Sequence, residues 1–250
     1  MSEFTCPVHN PNKAMSGKLY LIPSPLSENS EYNVLPRHIF DLISSIRYYI
    51  TENIRTTRRY FKKINPEINI DDITFFVFNK HTNKSEIDAF IKPVMEGNDA
   101  GLISEAGLPG VADPGQEIVA LAHRLNIQVV PIVGPSSIML ALMASGLNGQ
   151  TFAFNSYLPI EKNQRKNRIK ELEKCSVKNN QSQIFMETPY RNHQLLQDIL
   201  AACNPETRLC LASDITGKNE FIKTKTIKEW KHKPAPDIQK KPAIFIIYCK

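Results

Sequence analysis

The chain has 250 residues, 42% of them hydrophobic and 22% charged, with a formal net charge of +6. That length and apolar content suit one large domain or two of ordinary size, and they exclude a disordered chain. No stretch approaches the ~18 consecutive apolar residues of a membrane span.

Residues 1–17 are polar and irregular, without the basic start, apolar core or small-residue cleavage site of a signal peptide, and are read as a loose tail. The five cysteines, Cys6, Cys175, Cys203, Cys210 and Cys249, are odd in number and never spaced C-x-x-C. This usage points to a reducing compartment, the cytoplasm. Cys6 and His9 are spaced like one half of a metal site, but no second pair follows, so no metal is expected.

In chain order, residues 19–22 read as a strand that ends in Pro23-Ser24-Pro25-Leu26. Residues 36–50 and 56–63 read as helices, the second bearing an arginine-rich cluster of Arg55, Arg58 and Arg59 followed by Lys62 and Lys63. A strand at 74–78 is followed by His81 and Asn83, and by a helical stretch, 85–96, that Pro93 should kink or restart. The short strand 102–104 then breaks into the loop Glu105-Ala-Gly-Leu-Pro-Gly-Val-Ala-Asp-Pro-Gly115. Gly107 and Gly110 permit positive φ or close backbone approach, and Asp113 before Pro114 reads as the N-cap of a helix over 114–125.

Another strand, 127–132, ends in Val133-Gly134-Pro135-Ser136 and leads into a helix, 136–145, that is apolar nearly all round and should be buried. Either loop alone is ordinary turn chemistry. Neither matches G-x-G-x-x-G or G-x-x-x-x-G-K-[ST], which occur nowhere in the chain. Further strands are read at 152–154, 184–186 and 209–213, with helices at 163–175 and 192–203. Residues 220–227 and the last strand, 243–248, suggest antiparallel pairing.

This alternation predicts an α/β fold, with a mostly parallel sheet in the first half and a mixed sheet in the second. Two α/β domains are expected, 18–133 and 134–250. Residues 1–133 hold 13 Lys and Arg against 15 Asp and Glu, whereas residues 134–250 hold 18 against 10. A basic second half fits a polyanion lying on it, although lysine runs such as 162–168 and 218–241 are often only solvated faces. The arginine cluster is the stronger candidate, because guanidinium forks suit phosphates.

Five segments, in order, resemble the tetrapyrrole methylase family of S-adenosylmethionine-dependent methyltransferases, and most of all its ribosomal RNA small subunit methyltransferase I branch. They are Leu19 to Leu26, Ser104 to Gly115, Val133 to Ser136, Phe154 to Pro159 and Glu187-Thr-Pro-Tyr-Arg191. The chain departs from the branch at charged positions. Glu52-Asn53-Ile54-Arg55 stands where Glu-Asp-Thr-Arg is usual, Glu105 and Leu108 replace Asp and Thr, and Ser213 to Lys218 replaces Arg-Glu-Leu-Thr-Lys. The glycine and proline framework is kept.

The resemblance implies a two-domain tetrapyrrole methylase-like fold with a cofactor cleft between the domains, a homodimer, and S-adenosylmethionine as methyl donor. Cofactor contacts would come from Pro23, Ser24, Pro25, Ser104, Glu105, Ala106, Gly107, Leu108, Pro109, Asp113, Phe154, Ser156, Leu158 and Glu187. The implied acceptor is a cytidine 2′-hydroxyl in small-subunit ribosomal RNA, with Arg55, Arg58 and Arg59 on the RNA. The His81-x-Asn83 pair also matches the branch.

Methyl transfer to a hydroxyl asks mainly for alignment, water exclusion and a base. Glu52, Glu105 and Lys218 are the foremost catalytic candidates, with Asp113, Glu187 and Asp214 behind them. Asp113 is better explained as a helix cap, Glu187 could pair with Arg191, and Tyr157 and Tyr190 could stack on a base or fill the core. Two other functions stay open: methylation of a tetrapyrrole or other small molecule, and a non-catalytic module that binds the donor.

Overall fold

A computed structural model describes residues 16–79 and 82–250. Among the described residues the chain divides into two compact units, one formed by 16–23 and 36–133, the other by 24–35 and 134–250. Residues 1–15, with Cys6 and His9, and His81 lie outside the described residues.

The first unit holds a five-stranded, all-parallel sheet of order β3-β2-β4-β1-β5. Its strands are β1 (Lys18–Ile22), β2 (Tyr48–Thr51), β3 (Thr74–Val77), β4 (Ala100–Ile103) and β5 (Gln128–Pro131). The helices of this unit are α2 (His38–Ser45), α3 (Ile54–Ile64), α4 (Lys84–Met95) and α5 (Gln116–Arg124). The central strand β4 is buried at every residue. Leu19, Ile50, Leu102, Ile118 and Phe90 meet in its main core.

Two expectations fail here for local reasons. Residues 36–50 are not one helix: α2 stops at Ser45, Ile46 is extended, and Tyr48-Tyr-Ile-Thr51 forms β2. Aromatic and β-branched residues suit a pleated surface better than a helix, and Tyr49 is fully buried with its hydroxyl donating to the Ile43 carbonyl at 2.9 Å. Of the kink or restart expected at Pro93, the restart does not occur, since α4 continues through it to Met95. The proline falls in the last turn, where it removes one i→i−4 donor while the Glu96 N–H still reaches the Lys92 carbonyl at 3.1 Å, and its own carbonyl accepts from the Asn98 N–H at 3.0 Å.

The second unit holds a mixed sheet of order β6-β7-β10-β8-β9, in which β6 and β7 are parallel and the other pairs antiparallel. Its strands are β6 (Phe152–Tyr157), β7 (Ser182–Glu187), β8 (Arg208–Ser213), β9 (Phe221–Thr226) and β10 (Ala243–Tyr248). Short α1 (Glu31–Val34), α6 (Ser137–Ser145), α7 (Lys162–Asn179), α8 (Asn192–Ala202) and α9 (Ile227–Lys231) complete it. β10 is buried throughout because it is covered on both faces. Ala243, Phe245 and Ile247 join one core with Leu172, Leu195 and Trp230, while Ile244 and Ile246 join another with Ile138, Ala141 and Leu142. Each of the larger side chains among these, Leu, Ile or Phe, contributes about 1.5–3 kcal/mol on burial.

The apolar α6 is buried on one face only. Ile138, Ala141, Leu142 and Ser145 are covered, but Met139 and Met143 are 47% and 77% exposed. Sequence made this helix look enclosed because a single layer of sheet covers a helix on one side. Among the described residues no helix is long and apolar enough to cross a membrane.

Candidate active site

Register fixes where the first unit gathers its polar groups. Thr51 pairs with Ile103, and Ile103 with Ile22, so β2, β4 and β1 end level with one another. The residues that follow are Glu52, Ser104-Glu105 and Pro23. From β2 the chain proceeds through α3 to β3 on one side, and from β4 through α5 to β5 on the other. Diverging connections at neighbouring strand ends leave the crevice in which open α/β sheets bind ligands.

α3 begins at this point because Asn53 caps it, its side chain accepting from the N–H groups of Arg55 at 3.0 Å and Thr56 at 3.4 Å. The amide in place of the branch's aspartate therefore retains a capping function, for which Asn and Asp serve equally. Thr56 Oγ1 donates to Glu105 Oε1 at 3.2 Å, and Tyr60 donates from the same helix to the Pro23 carbonyl at 3.2 Å. Arg55, Arg58 and Arg59 lie on its exposed side, opposite the buried Thr57, Tyr60, Phe61 and Ile64, and the Arg58 guanidinium lies 5.5 Å from the Phe75 ring centroid.

The loop after β4 is shaped by left-handed backbone, with φ of 72° at Gly107, 78° at Gly110, 65° at Ala112 and 139° at Gly115. Gly115 is the N-cap of α5, and a Cβ there would sit 2.9 Å from Leu102 Cδ2. Asp113 is thus not the cap that Asp-Pro suggested. Its carboxylate hydrogen-bonds the Ser104 hydroxyl and lies beside Glu105 and Glu52. Ser104 Oγ also reaches the Ala106 carbonyl at 3.3 Å.

Three carboxylates are therefore held together at these strand ends. Burial, then the charges of Asp113 and Glu105, push Glu52 up to about 7, against the lowering effect of the Glu105 N–H that donates to it. Burial and the Glu105 charge push Asp113 up to about 6. Glu52 Oε1 is buried without a hydrogen-bond partner. Such a group can hold a proton near neutrality or accept a cation beside it. Sequence reasoning did not see Thr56, or the strand that delivers Glu52; the run Tyr-Tyr-Ile-Thr was the available signal.

The remaining candidates belong to the second unit. Ser24 is 3% exposed. Phe154 packs beside the core of α6, and Leu158 is buried in the core of α7 and α8. Between Phe154 and Tyr157 the register of β6 shifts, with Ser156 at φ 55°. Glu187 Oε1 accepts from Arg191 Nη2 at 2.6 Å and from the Thr188 N–H at 2.6 Å, so its contacts are made within its own turn. Lys218 is exposed, in a loop where Asp214 and Thr216 have φ of 49° and 67°. Thr216 Oγ1 lies 3.1 Å from Ser27 Oγ, joining this loop to the segment after β1. Tyr157 and Tyr190 are exposed rather than core residues.

A parallel α/β unit followed by a mixed-sheet unit is an architecture shared with solved methyltransferase structures. Residues 45–231 match the family described as Tetrapyrrole (Corrin/Porphyrin) Methylases, and the chain belongs to that family. Its sequence is similar to ribosomal RNA small subunit methyltransferase I of Vibrio cholerae, 29% identical over 84% of this chain and 69% of that protein. The enzyme of the same name from Buchnera aphidicola is 28% identical over 93% and 78%. Among solved structures, the fold is shared with uroporphyrin-III-C-methyltransferase from Thermus thermophilus (TM-score 0.52, 16% identity, 93% and 92% of the two chains). It is also shared with the methyltransferase CobJ (TM-score 0.60, 11% identity, 94% and 100%).

Proposed function

We propose that this chain is an S-adenosylmethionine-dependent RNA methyltransferase that modifies the 2′-hydroxyl of a cytidine in small-subunit ribosomal RNA. Membership of a methylase family and the names of relatives that align with most of the chain support the activity and the substrate class. The observation that carries the chemistry is the Glu52–Glu105–Asp113 cluster, in which burial and neighbouring negative charge raise the proton affinity of Glu52 and Asp113 toward neutrality.

The residues present fit the donor. S-adenosylmethionine supplies a methyl group on a cationic sulfur, and three crowded carboxylates, one with an unpartnered oxygen, are stabilised by a cation. The backbone of residues 104–115 and Pro23, all in the first unit, would hold the donor. Glu52 would take the ribose proton as the oxygen becomes nucleophilic, because a carboxyl with a pKa of about 7 matches the operating pH. Glu105, tied to Thr56, would orient Glu52 through its N–H. Lys218 is proposed to steady the acceptor phosphate, and Arg55, Arg58 and Arg59 the flanking RNA. A cytoplasmic homodimer is part of the proposal.

The test is nucleoside mass spectrometry of undermodified small-subunit ribosomal RNA after incubation with the protein and donor. Appearance of 2′-O-methylcytidine supports the reading. Methylation of a tetrapyrrole precursor with none on RNA would replace it.

A further inference from the structure

A group of lysines on the edge of the second unit remains outside the site just described. Between residues 219 and 241 there are seven lysines and three carboxylates. All three carboxylates are engaged nearby: Glu220 accepts from the Thr216 N–H at 2.8 Å, Glu229 closes the capping box of α9 with Thr226, and Asp237 pairs with Lys241 at 2.8 Å. Among the described residues, no salt bridge reaches Lys223, Lys225 or Lys233.

The fold brings these three lysines together. β9 is an edge strand, and its pairing with β8 sets Lys223 opposite Leu211 and Lys225 opposite Leu209. Leu209 and Leu211 belong to the core that contains Trp230, so both lysines leave the sheet on the side of α9. Trp230 is anchored there by its indole N–H, which donates to the Leu209 carbonyl at 3.0 Å, and Lys225 Nζ lies 6.0 Å from its ring centroid. After α9 the chain turns, the Lys233 N–H donating to the Trp230 carbonyl at 3.3 Å. This turn returns the Lys233 ammonium to hydrogen-bonding reach of Lys225, and that contact is the largest of the effects that lower the Lys225 pKa. Two exposed flexible ammonium groups normally separate. Here Lys225 sits by the Trp230 ring with Lys233 beside it, the Glu229 carboxylate near both, and Lys223 two residues away on the same side of the strand.

We infer that Lys223, Lys225 and Lys233 form a phosphate clamp for the backbone of RNA, with Trp230 as its fixed floor. A phosphate oxygen between the two ammonium groups would turn mutual repulsion into two charge-assisted hydrogen bonds. Protection of an exposed sheet edge also uses lysine, but it asks only for single charges along the strand and not for two in contact. The inference rests on the RNA reading above for the identity of the polyanion.

The test is fluorescence anisotropy with a labelled single-stranded 20-nucleotide RNA over a range of salt, for wild type, the triple variant Lys223→Ala/Lys225→Ala/Lys233→Ala, and Lys170→Ala/Lys174→Ala/Lys178→Ala on the exposed side of α7 as a control of equal charge loss. The clamp variant should bind at least tenfold more weakly, with its log–log salt slope reduced by about 2. The control should lose less than threefold, and both should retain wild-type melting temperature. Equal losses in the two variants, or aggregation of the clamp variant with unchanged RNA affinity, would overturn the clamp. Methyl transfer by wild type is scored separately. Transfer with an unchanged clamp-variant affinity sinks the clamp and keeps the enzyme, whereas loss of affinity in a protein that transfers nothing to RNA keeps the clamp and sinks the enzyme's proposed substrate.

Discussion

The Glu105 backbone N–H lies against the Glu52 carboxylate and lowers its proton affinity, bringing the turn after β4 to the turn after β2, while Oε1 of Glu52 is buried without a partner. If this carboxylate is the base, Glu52→Gln should lower methyl transfer by about 10²- to 10⁴-fold and leave donor affinity within a few-fold. Single-turnover rates and calorimetry measure the two separately. Unchanged transfer would remove Glu52 from the chemistry.

The same carboxylate predicts how stability follows pH. Its folded pKa, about 7, lies above the ordinary 4.5, so between those values the native state binds more protons than the unfolded chain. Stability should therefore fall as pH rises through this window, and Asp113, raised to about 6, adds to the fall. Glu52→Gln should flatten the dependence and raise the melting temperature at pH 8 more than at pH 5. A variant whose melting curves parallel wild type at both pH values would contradict the raised proton affinity.

Gly107 has φ of 72°, where a β-branched residue is strained. Gly107→Val should reshape the loop and abolish donor binding while the sheet core stays folded. Calorimetry beside far-ultraviolet circular dichroism checks this. Full donor affinity in a folded variant would move the donor site away from residues 104–115.

Replacing Arg58 and Arg59 by Ala should weaken RNA binding and reduce its salt slope by about 2, with donor affinity intact. Both lie on the exposed side of α3, away from the face packed on the sheet. Equal RNA affinity at every salt concentration would make the cluster a solvated surface.

In the second unit, Arg165 donates through Nε and Nη2 to Asp198 Oδ2 at 2.9 and 2.6 Å, and both side chains are almost fully buried. Asp198→Ala should destabilise the unit by about 3–5 kcal/mol, because the guanidinium stays buried without its counter-charge. Urea unfolding measures it. A cost below ~1 kcal/mol would mean that water reaches the guanidinium once the partner is gone.

Much of this was legible in the sequence, because apolar runs and glycine-proline punctuation are local. The strands that end at Pro23, Ser104 and Val133 were readable, as was the mixed character of residues 220–248. β2 was not, since Tyr48 to Thr51 follows α2 after only two residues and its strand character is fixed by pairing with β3 and β4. Asp113 misled for a related reason. Asp-Pro is a strong local cap signal, but the helix is capped two residues later by Gly115, where φ is 139° and a Cβ would crowd Leu102, and the Asp113 carboxylate instead faces Glu105 and Glu52. The cluster itself joins residues 52, 105 and 113, which the pairing of β2 with β4 brings together.

The most direct test of the central claim is labelled-methyl transfer from S-adenosylmethionine to undermodified small-subunit ribosomal RNA, run side by side with wild type and Glu52→Gln. The account predicts transfer by wild type that rises through a pKa near 7 and is lost in the variant. Wild type that binds the donor yet transfers nothing to RNA, or a variant that transfers as well as wild type, would contradict it.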